Sequence, residues 1–294
     1  MNLKHIVLMV LRIALLAVVM FLSFVVSAGI AGLGGSGGLS EGSSEGTAAL
    51  LAVCLADTLV LSYPILRSRW HGRKLAGTVF LVYFGVETFM SQIETLFFGG
   101  AFDIPAVQMR GIVLSGALRA LIFSPLAVLI LGRTRPDRAQ EAASTRPMMP
   151  WPSWAWRLAL LPAAYICLYF LFGYFTAWQS PDVRQFYTGS TSILPFPQHI
   201  LGYLRSTPAI LPFQWLRGLL WIGLALPIVR MMRGKPWEAP LAVGLLFGCL
   251  LTAALWLPNP YMPAPVRWAH FVETSTSTFL YGALVAWLFG RPRP

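Results

Sequence analysis

Two carboxylates stand seven residues apart in a stretch that is otherwise apolar enough to cross a membrane. Glu87 and Glu94 lie in segment 83–98, whose other residues are mainly aromatic, aliphatic or small. At about 100° per residue, this spacing places both acids on one face of a helix, roughly two turns apart. Acids inside a bilayer are costly and usually mark substrate paths, ion sites or proton relays. The pair therefore predicts an intramembrane functional site.

A histidine and a third acid form a second candidate group. His270 and Glu273 share a helix face because they are three residues apart, and five hydroxyl residues follow at 274–278. Counted at about 1.5 Å per residue from the cytoplasmic ends of their spans, Glu94, His270 and Glu273 fall at similar depth near the outward boundary. Histidine and carboxylates can bind a divalent metal or serve as an acid–base pair. We therefore predict that these three residues are catalytic or hold a divalent metal.

A deeper charged layer contains two acids and two arginines. Its simplest interpretation is ion pairing of Glu87 with Arg119 and of Asp57 with Arg217, because unpaired charges in lipid cost several kcal/mol. The alternative is a polar cavity in which the arginines receive an anionic group. On that alternative, we assign substrate binding to Glu87, Arg119, Arg217, Asp57, Gln92 and Ser277.

The composition indicates which elements position these residues. Of 294 residues, 56% are hydrophobic and 11% are charged, against about 25% charged in soluble domains. The net charge of +11 comes mainly from short loops, where basic residues set membrane topology. The chain is therefore expected to have the lipid bilayer, and not nucleic acid, as its partner.

Eight apolar stretches of about 20 residues predict an all-α polytopic membrane protein with eight transmembrane helices. Basic residues occupy alternate loops and the C-terminal tail, which places both termini in the cytoplasm by the positive-inside rule. We expect a multi-pass protein of the bacterial cytoplasmic (inner) membrane, with N-in and C-in orientation. The predicted spans lie near 6–28, 47–66, 76–98, 109–131, 156–177, 211–230, 239–257 and 269–289.

Short motifs suggest an internal duplication. Pro-Ile-Leu-Arg at 64–67 recurs as Pro-Ile-Val-Arg at 227–230, and Phe-Gly at 84–85 recurs at the same offset at 247–248. The predicted units are residues 1–149 and 150–294. With four spans each, they form a parallel 4+4 repeat about an axis along the membrane normal. The second unit carries a long outward loop, 178–210, whose prolines and aromatic residues predict an ordered lid.

The charged residues do not follow the duplication. Leu250 and Leu257 stand at the positions equivalent to Glu87 and Glu94. A requirement of the fold alone would leave similar polar groups in both halves. The difference predicts one asymmetric site, formed by the third and eighth spans.

Three functions fit this pattern, and no known family motif selects among them. Nucleotide-binding loops, the zinc-protease motif and the nucleophile elbow are all absent from the sequence. We favour an outward-facing site that binds and translocates a small polar or lipid-linked solute, with protonation of Glu87 or Glu94 coupled to movement. One alternative is an intramembrane enzyme, metal-dependent or using Glu and His as acid and base, acting on a lipid or lipid-linked substrate at the outer leaflet. The other alternative is a membrane partner subunit.

Overall fold

The protein is described by a computed structural model that covers residues 3–33, 44–99, 104–136 and 150–290. These residues form helices, with no β-strand among them. The predicted all-α class is confirmed. The α-helices are α1 (Leu3–Ile30), α2 (Ser44–Leu66), α3 (Gly72–Tyr83), α4 (Met90–Phe97), α5 (Ala106–Ile130), α6 (Trp151–Phe175), α7 (Pro181–Thr188), α8 (Phe196–Ser206), α9 (Ile210–Met231), α10 (Glu238–Leu245) and α11 (Ala264–Gly290).

Six helices in the described ranges are long and apolar enough to cross a membrane. They are Leu3–Ile30, Ser44–Leu66, Gly72–Phe97, Ala106–Ile130, Trp151–Gln179 and Ile210–Met231. The predicted span 239–257 corresponds to a shorter apolar helix, Glu238–Leu250, followed by a 3₁₀ turn, Ala253–Trp256. The predicted span 269–289 corresponds to α11, which has 27 residues but a polar first half. The chain is thus a multi-pass, membrane-type helical protein.

The helices have similar neighbours in the two halves of the chain. In the first half, α1 packs against α2 and α5, and α3 packs against α5. In the second half, α6 packs against α9 and α11, and α10 packs against α11. Large side chains fill the centre, where Tyr83, Phe123, Trp221, Phe247 and Tyr281 are fully buried.

Within the described residues, two π-helices with mostly buried residues interrupt the regular α-helices. The first π-helix, Phe84–Phe89, joins α3 to α4, and the second π-helix, Leu246–Leu250, follows α10. Each contains a Phe-Gly pair of the sequence motif, and the two segments contact each other. A π-helix has i→i+5 bonding and is frequently found at functional sites. The first one carries Glu87.

The loops that follow α2 and α9 are joined to each other. Arg67 donates two hydrogen bonds of 2.5 Å to the carboxylate of Glu238. The Arg69 backbone N–H donates to the Met231 carbonyl at 2.7 Å. Hydrogen bonding from Arg67 lowers the pKa of Glu238 to about 2. The two loops therefore tie the halves together at the end that the charge pattern predicts to be cytoplasmic.

Some sequence predictions fall on residues that the structure does not describe. Among the basic residues that predict the orientation, Arg138 and Arg146 of one loop and Arg291 and Arg293 of the C-terminal tail lie outside the described residues.

Candidate functional site

A cavity of about 1270 Å³ lies at the end of the bundle where α1 and α6 end and where α2, α5, α9 and α11 begin. The charge pattern predicts this end to face outward. The volume exceeds the range of roughly 300–1000 Å³ that is common for small-molecule pockets. Aliphatic and aromatic side chains form most of the walls, and the acids and arginines on the walls belong to three polar groups.

The first polar group is an ion pair between the first π-helix and α5. The Arg119 guanidinium bonds the Glu87 carboxylate, and their side chains are 10% and 7% exposed. The guanidinium also lies 3.8 Å from the centre of the Phe24 ring on α1, a favourable cation–π distance. The predicted pairing of Glu87 with Arg119 is confirmed.

The second polar group is an ion pair between α4 and α9. Arg217 donates to both carboxylate oxygens of Glu94, at 2.7 and 2.8 Å, and to the side-chain oxygen of Gln214 at 3.1 Å. Arg217 is buried, with 2% of its side chain exposed, whereas 30% of the Glu94 side chain is exposed. Paired bonds of this kind are among the stronger contacts in proteins.

The partner of Arg217 differs from the sequence expectation. Pairing of Arg217 with Asp57 is wrong, because Glu94 occupies the guanidinium. The depth estimate assumes that each span is a regular α-helix. The first π-helix, which contains Glu87 and ends before Glu94, breaks that regularity, so the estimated depth of Glu94 does not apply.

The third polar group is a chain of three side chains that crosses from α7 to α11. The Tyr187 hydroxyl lies 3.1 Å from Nε2 of His270, and Nδ1 of His270 lies 3.0 Å from Glu273. Burial and the nearby carboxylates raise the pKa of Tyr187, so its hydroxyl remains a proton donor. A neutral His270 that accepts from Tyr187 then carries its own proton on Nδ1 and donates it to Glu273.

The segment after α6 covers the cavity and holds Tyr187 in place. Arg184 on α7 donates to the carbonyls of Thr191, Trp178 and Gln179 at 2.6–3.0 Å. The Tyr174 hydroxyl on α6 donates to the Leu194 carbonyl at 2.7 Å. These bonds fix the position of α7 relative to the end of α6.

His199 belongs to the same covering segment. Its ring packs 4.8 Å from Trp178 and 5.3 Å from Tyr174, measured between ring centres, and burial lowers its pKa. Packing against aromatic rings accounts for the position of this histidine.

The remaining assigned residues separate into two places. Gln92 and Ser277 line the main cavity with the three polar groups. Asp57 lies instead on a second cavity of about 400 Å³. The hydroxyls of the 274–278 run bond mainly to carbonyls of their own helix, as Thr276 does to Val272 at 2.8 Å.

The metal hypothesis has no support from this geometry. Within the described ranges, no three His, Cys, Asp or Glu residues form a group that could hold a metal ion. Glu94 is engaged by Arg217, while His270 and Glu273 bond to each other. The predicted metal set of Glu94, His270 and Glu273 is therefore divided between two polar groups.

Sequence reasoning did not assign the tyrosines of the site. Tyr165, Tyr169 and Tyr203 line the cavity together with Tyr187. The spacing of Tyr165 and Tyr169, four residues apart in an apolar span, places them on one helix face and was an available signal. Tyr187 reaches His270 only through the folding of the covering segment, which no local pattern encodes.

In comparisons with known proteins, no family model, no curated protein and no solved structure matches this chain.

Proposed function

We propose that this integral membrane protein binds an amphiphilic, lipid-linked anion in the main cavity and translocates it in a proton-coupled step. The observation that carries the proposal is the placement of two buried arginines, Arg119 and Arg217, on the wall of a large and mainly apolar cavity. Apolar walls suit an acyl or isoprenoid chain, and guanidinium groups suit a carboxylate or phosphate.

The paired carboxylates supply the coupling. An anion that binds Arg217 must displace Glu94, whose two oxygens occupy the guanidinium. A displaced carboxylate beside an anion is unfavourable in a low-dielectric site, and uptake of one proton by Glu94 relieves the repulsion. Anion and proton therefore bind together, and affinity for the anion rises as the pH falls.

For the architecture, we propose eight spans in a parallel 4+4 arrangement, with both termini in the cytoplasm of a bacterium and the main cavity open to the outward side of its inner membrane. The similar neighbours of α1 and α6 and the two π-helices at equivalent Phe-Gly pairs support the repeat. The basic loops support the orientation. The tie between Arg67 and Glu238 would close the cytoplasmic end.

Binding of a fluorescent lysophosphatidic acid to the purified protein in nanodiscs tests the proposal. The wild type should bind more tightly at pH 6 than at pH 8. At pH 8, the Glu94→Gln variant should bind the probe at least about tenfold more tightly than the wild type, because no carboxylate competes for Arg217. Its affinity for the probe should no longer depend on pH.

Two further variants make the assay decisive. Arg217→Met should lose binding by a similar factor, while Glu45→Gln, an exposed acid at the start of α2, serves as the matched control. Equal affinity of Arg217→Met and wild type would show that the anion is not bound at Arg217. Proteoliposomes that release the same probe inward only under a pH gradient would support translocation.

An intramembrane enzyme is the second candidate, and the Tyr187–His270–Glu273 chain favours it. A histidine oriented by a carboxylate can act as general base or acid on a lipid-linked group in the cavity. His270→Ala should then abolish turnover of membrane lipid extracts, followed by mass spectrometry, and retain binding at Arg217. Unchanged lipids after prolonged incubation with the wild type would contradict this candidate.

A further inference from the structure

Asp57 is the buried charge that the polar groups of the main cavity do not explain. It lies on α2, is 0% exposed, and neither of its carboxylate oxygens has a hydrogen-bond partner in the described part of the chain. A buried carboxylate without partners costs several kcal/mol when ionised. Its protonation state therefore needs an explanation.

The charges around Asp57 do not balance. Glu87 and Arg119 are its charged neighbours, and Arg119 already bonds to Glu87. The other titratable groups that face Asp57 from adjacent elements are uncharged as thiols or phenol: Cys54 on α2, Tyr83 on α3 and Cys249 in the second π-helix. Two acids thus share one arginine, which leaves one negative charge in excess.

The position of Asp57 connects the two cavities. Asp57 lines the 400 Å³ cavity together with Gly248 and Cys249 of the second π-helix. Glu87 and Arg119 line the main cavity, and Val53, one turn before Asp57, lines both. A proton that moves between Asp57 and Glu87 would therefore pass between the two cavities.

We propose that Asp57 is a proton-binding residue that shares a single proton with Glu87 beside Arg119. A proton from water in the main cavity adds to a carboxylate oxygen of one acid, and the other acid remains ionised and pairs with Arg119. Release returns the proton to water. The role of this proton in coupling rests on the proposed function, whereas the proton site itself rests on the charge count around Arg119.

Infrared difference spectroscopy of the purified protein in nanodiscs, without added lipid probe, tests the site. The wild type at pH 7 should show the carbonyl band of a buried protonated carboxylic acid. Asp57→Asn should lose this band because Glu87 alone stays ionised with Arg119. Glu87→Gln should also lose it because Asp57 then pairs with Arg119. Glu45→Gln is the control with an unchanged band.

One further variant and one salt titration separate the outcomes. Arg119→Met should increase the band about twofold, because both acids then bind a proton. An unchanged band in both Asp57→Asn and Glu87→Gln would overturn the proposal. Loss of the wild-type band on adding sodium chloride at constant pH would also overturn it, because that result would indicate a sodium site. Binding of the lipid probe is measured in a separate assay. A failure of the proposed function in that assay can therefore be distinguished from a failure of the proton site, which only the infrared band reports.

Discussion

Substitution of Glu94 should destabilise the protein more than substitution of its partner Arg217. Glu94→Gln leaves the charged Arg217 guanidinium, of whose side chain only 2% is exposed, with uncharged amide acceptors such as that of Gln214 and no compensating negative charge. Arg217→Met leaves a carboxylate that is 30% exposed toward the cavity and can be solvated. Removing one or the other member of this ion pair should therefore lower the free energy of unfolding by unequal amounts.

The magnitudes follow from burial. Removing one partner of a buried pair costs about 3–5 kcal/mol, because the other charge is left without compensation. We expect about 3 kcal/mol for Glu94→Gln, since part of the pair faces the cavity. Arg217→Met should cost about 1 kcal/mol, close to the value for exposed pairs, because water replaces the guanidinium at Glu94. The double variant should cost less than the sum of the two.

Reversible unfolding in mixed micelles, followed by circular dichroism at pH 7.5, measures these three free energies. Glu45→Gln should stay within about 0.5 kcal/mol of the wild type, as surface substitutions usually do. An Arg217→Met variant that is less stable than Glu94→Gln would refute the reasoning, because it would mean that Glu94 is held in a dry environment. Additive costs in the double variant would show that the two side chains do not form a pair.

Three other perturbations test the frame around the site. Gly116→Ala should cost about 1–3 kcal/mol by overpacking, since a Cβ at Gly116 would lie 2.0 Å from the Thr88 hydroxyl, and melting temperatures with and without Thr88→Ala should show partial recovery. Glu238→Gln should lower the free energy of unfolding by about 1 kcal/mol at pH 7, a small effect because Arg67 is 43% exposed. The difference in stability from the wild type should disappear as the pH drops from about 4.5 toward 2, where wild-type Glu238 becomes protonated and no longer contributes. Arg184→Ala should raise hydrogen exchange in residues 178–194, because three carbonyls lose their donor, and should leave exchange in α3 unchanged.

The sequence was sufficient for the helical class because bilayer-length apolar runs have few other solutions. It also paired Glu87 with Arg119, since adjacent helices bring residues of similar depth together. The prediction of membrane-spanning helices was less successful in the second half of the chain. Glu238–Leu250 is shorter than the predicted span, and α11 is too polar in its first half to read as a uniform apolar helix.

The errors in the site come from backbone irregularity and from long-range folding. The depth estimate for Glu94 assumes α-helical rise along the whole span, and no residue pattern predicts the π-helix, Phe84–Phe89, that contains Glu87. The contact of Tyr187 with His270 depends on a covering segment that Arg184 holds by bonds to loop carbonyls. Such bonds form only after the chain is folded, so periodicity cannot reveal them.

In the proposed repeat, the two π-helices would explain how one site arises from two related halves. Glu87 in the first π-helix reaches the main cavity and Arg119. Leu250, at the equivalent sequence position in the second π-helix, is 0% exposed and packs in the apolar core. In the proposed repeat, the same backbone distortion thus carries a charged residue in the first unit and a packing residue in the second unit. Leu250→Glu would then bury a further acid in the second π-helix, which contacts α2 and the first π-helix, and this acid should have to bind a proton for the variant to fold. A folded variant whose infrared band matches the wild type would contradict this account of the asymmetry.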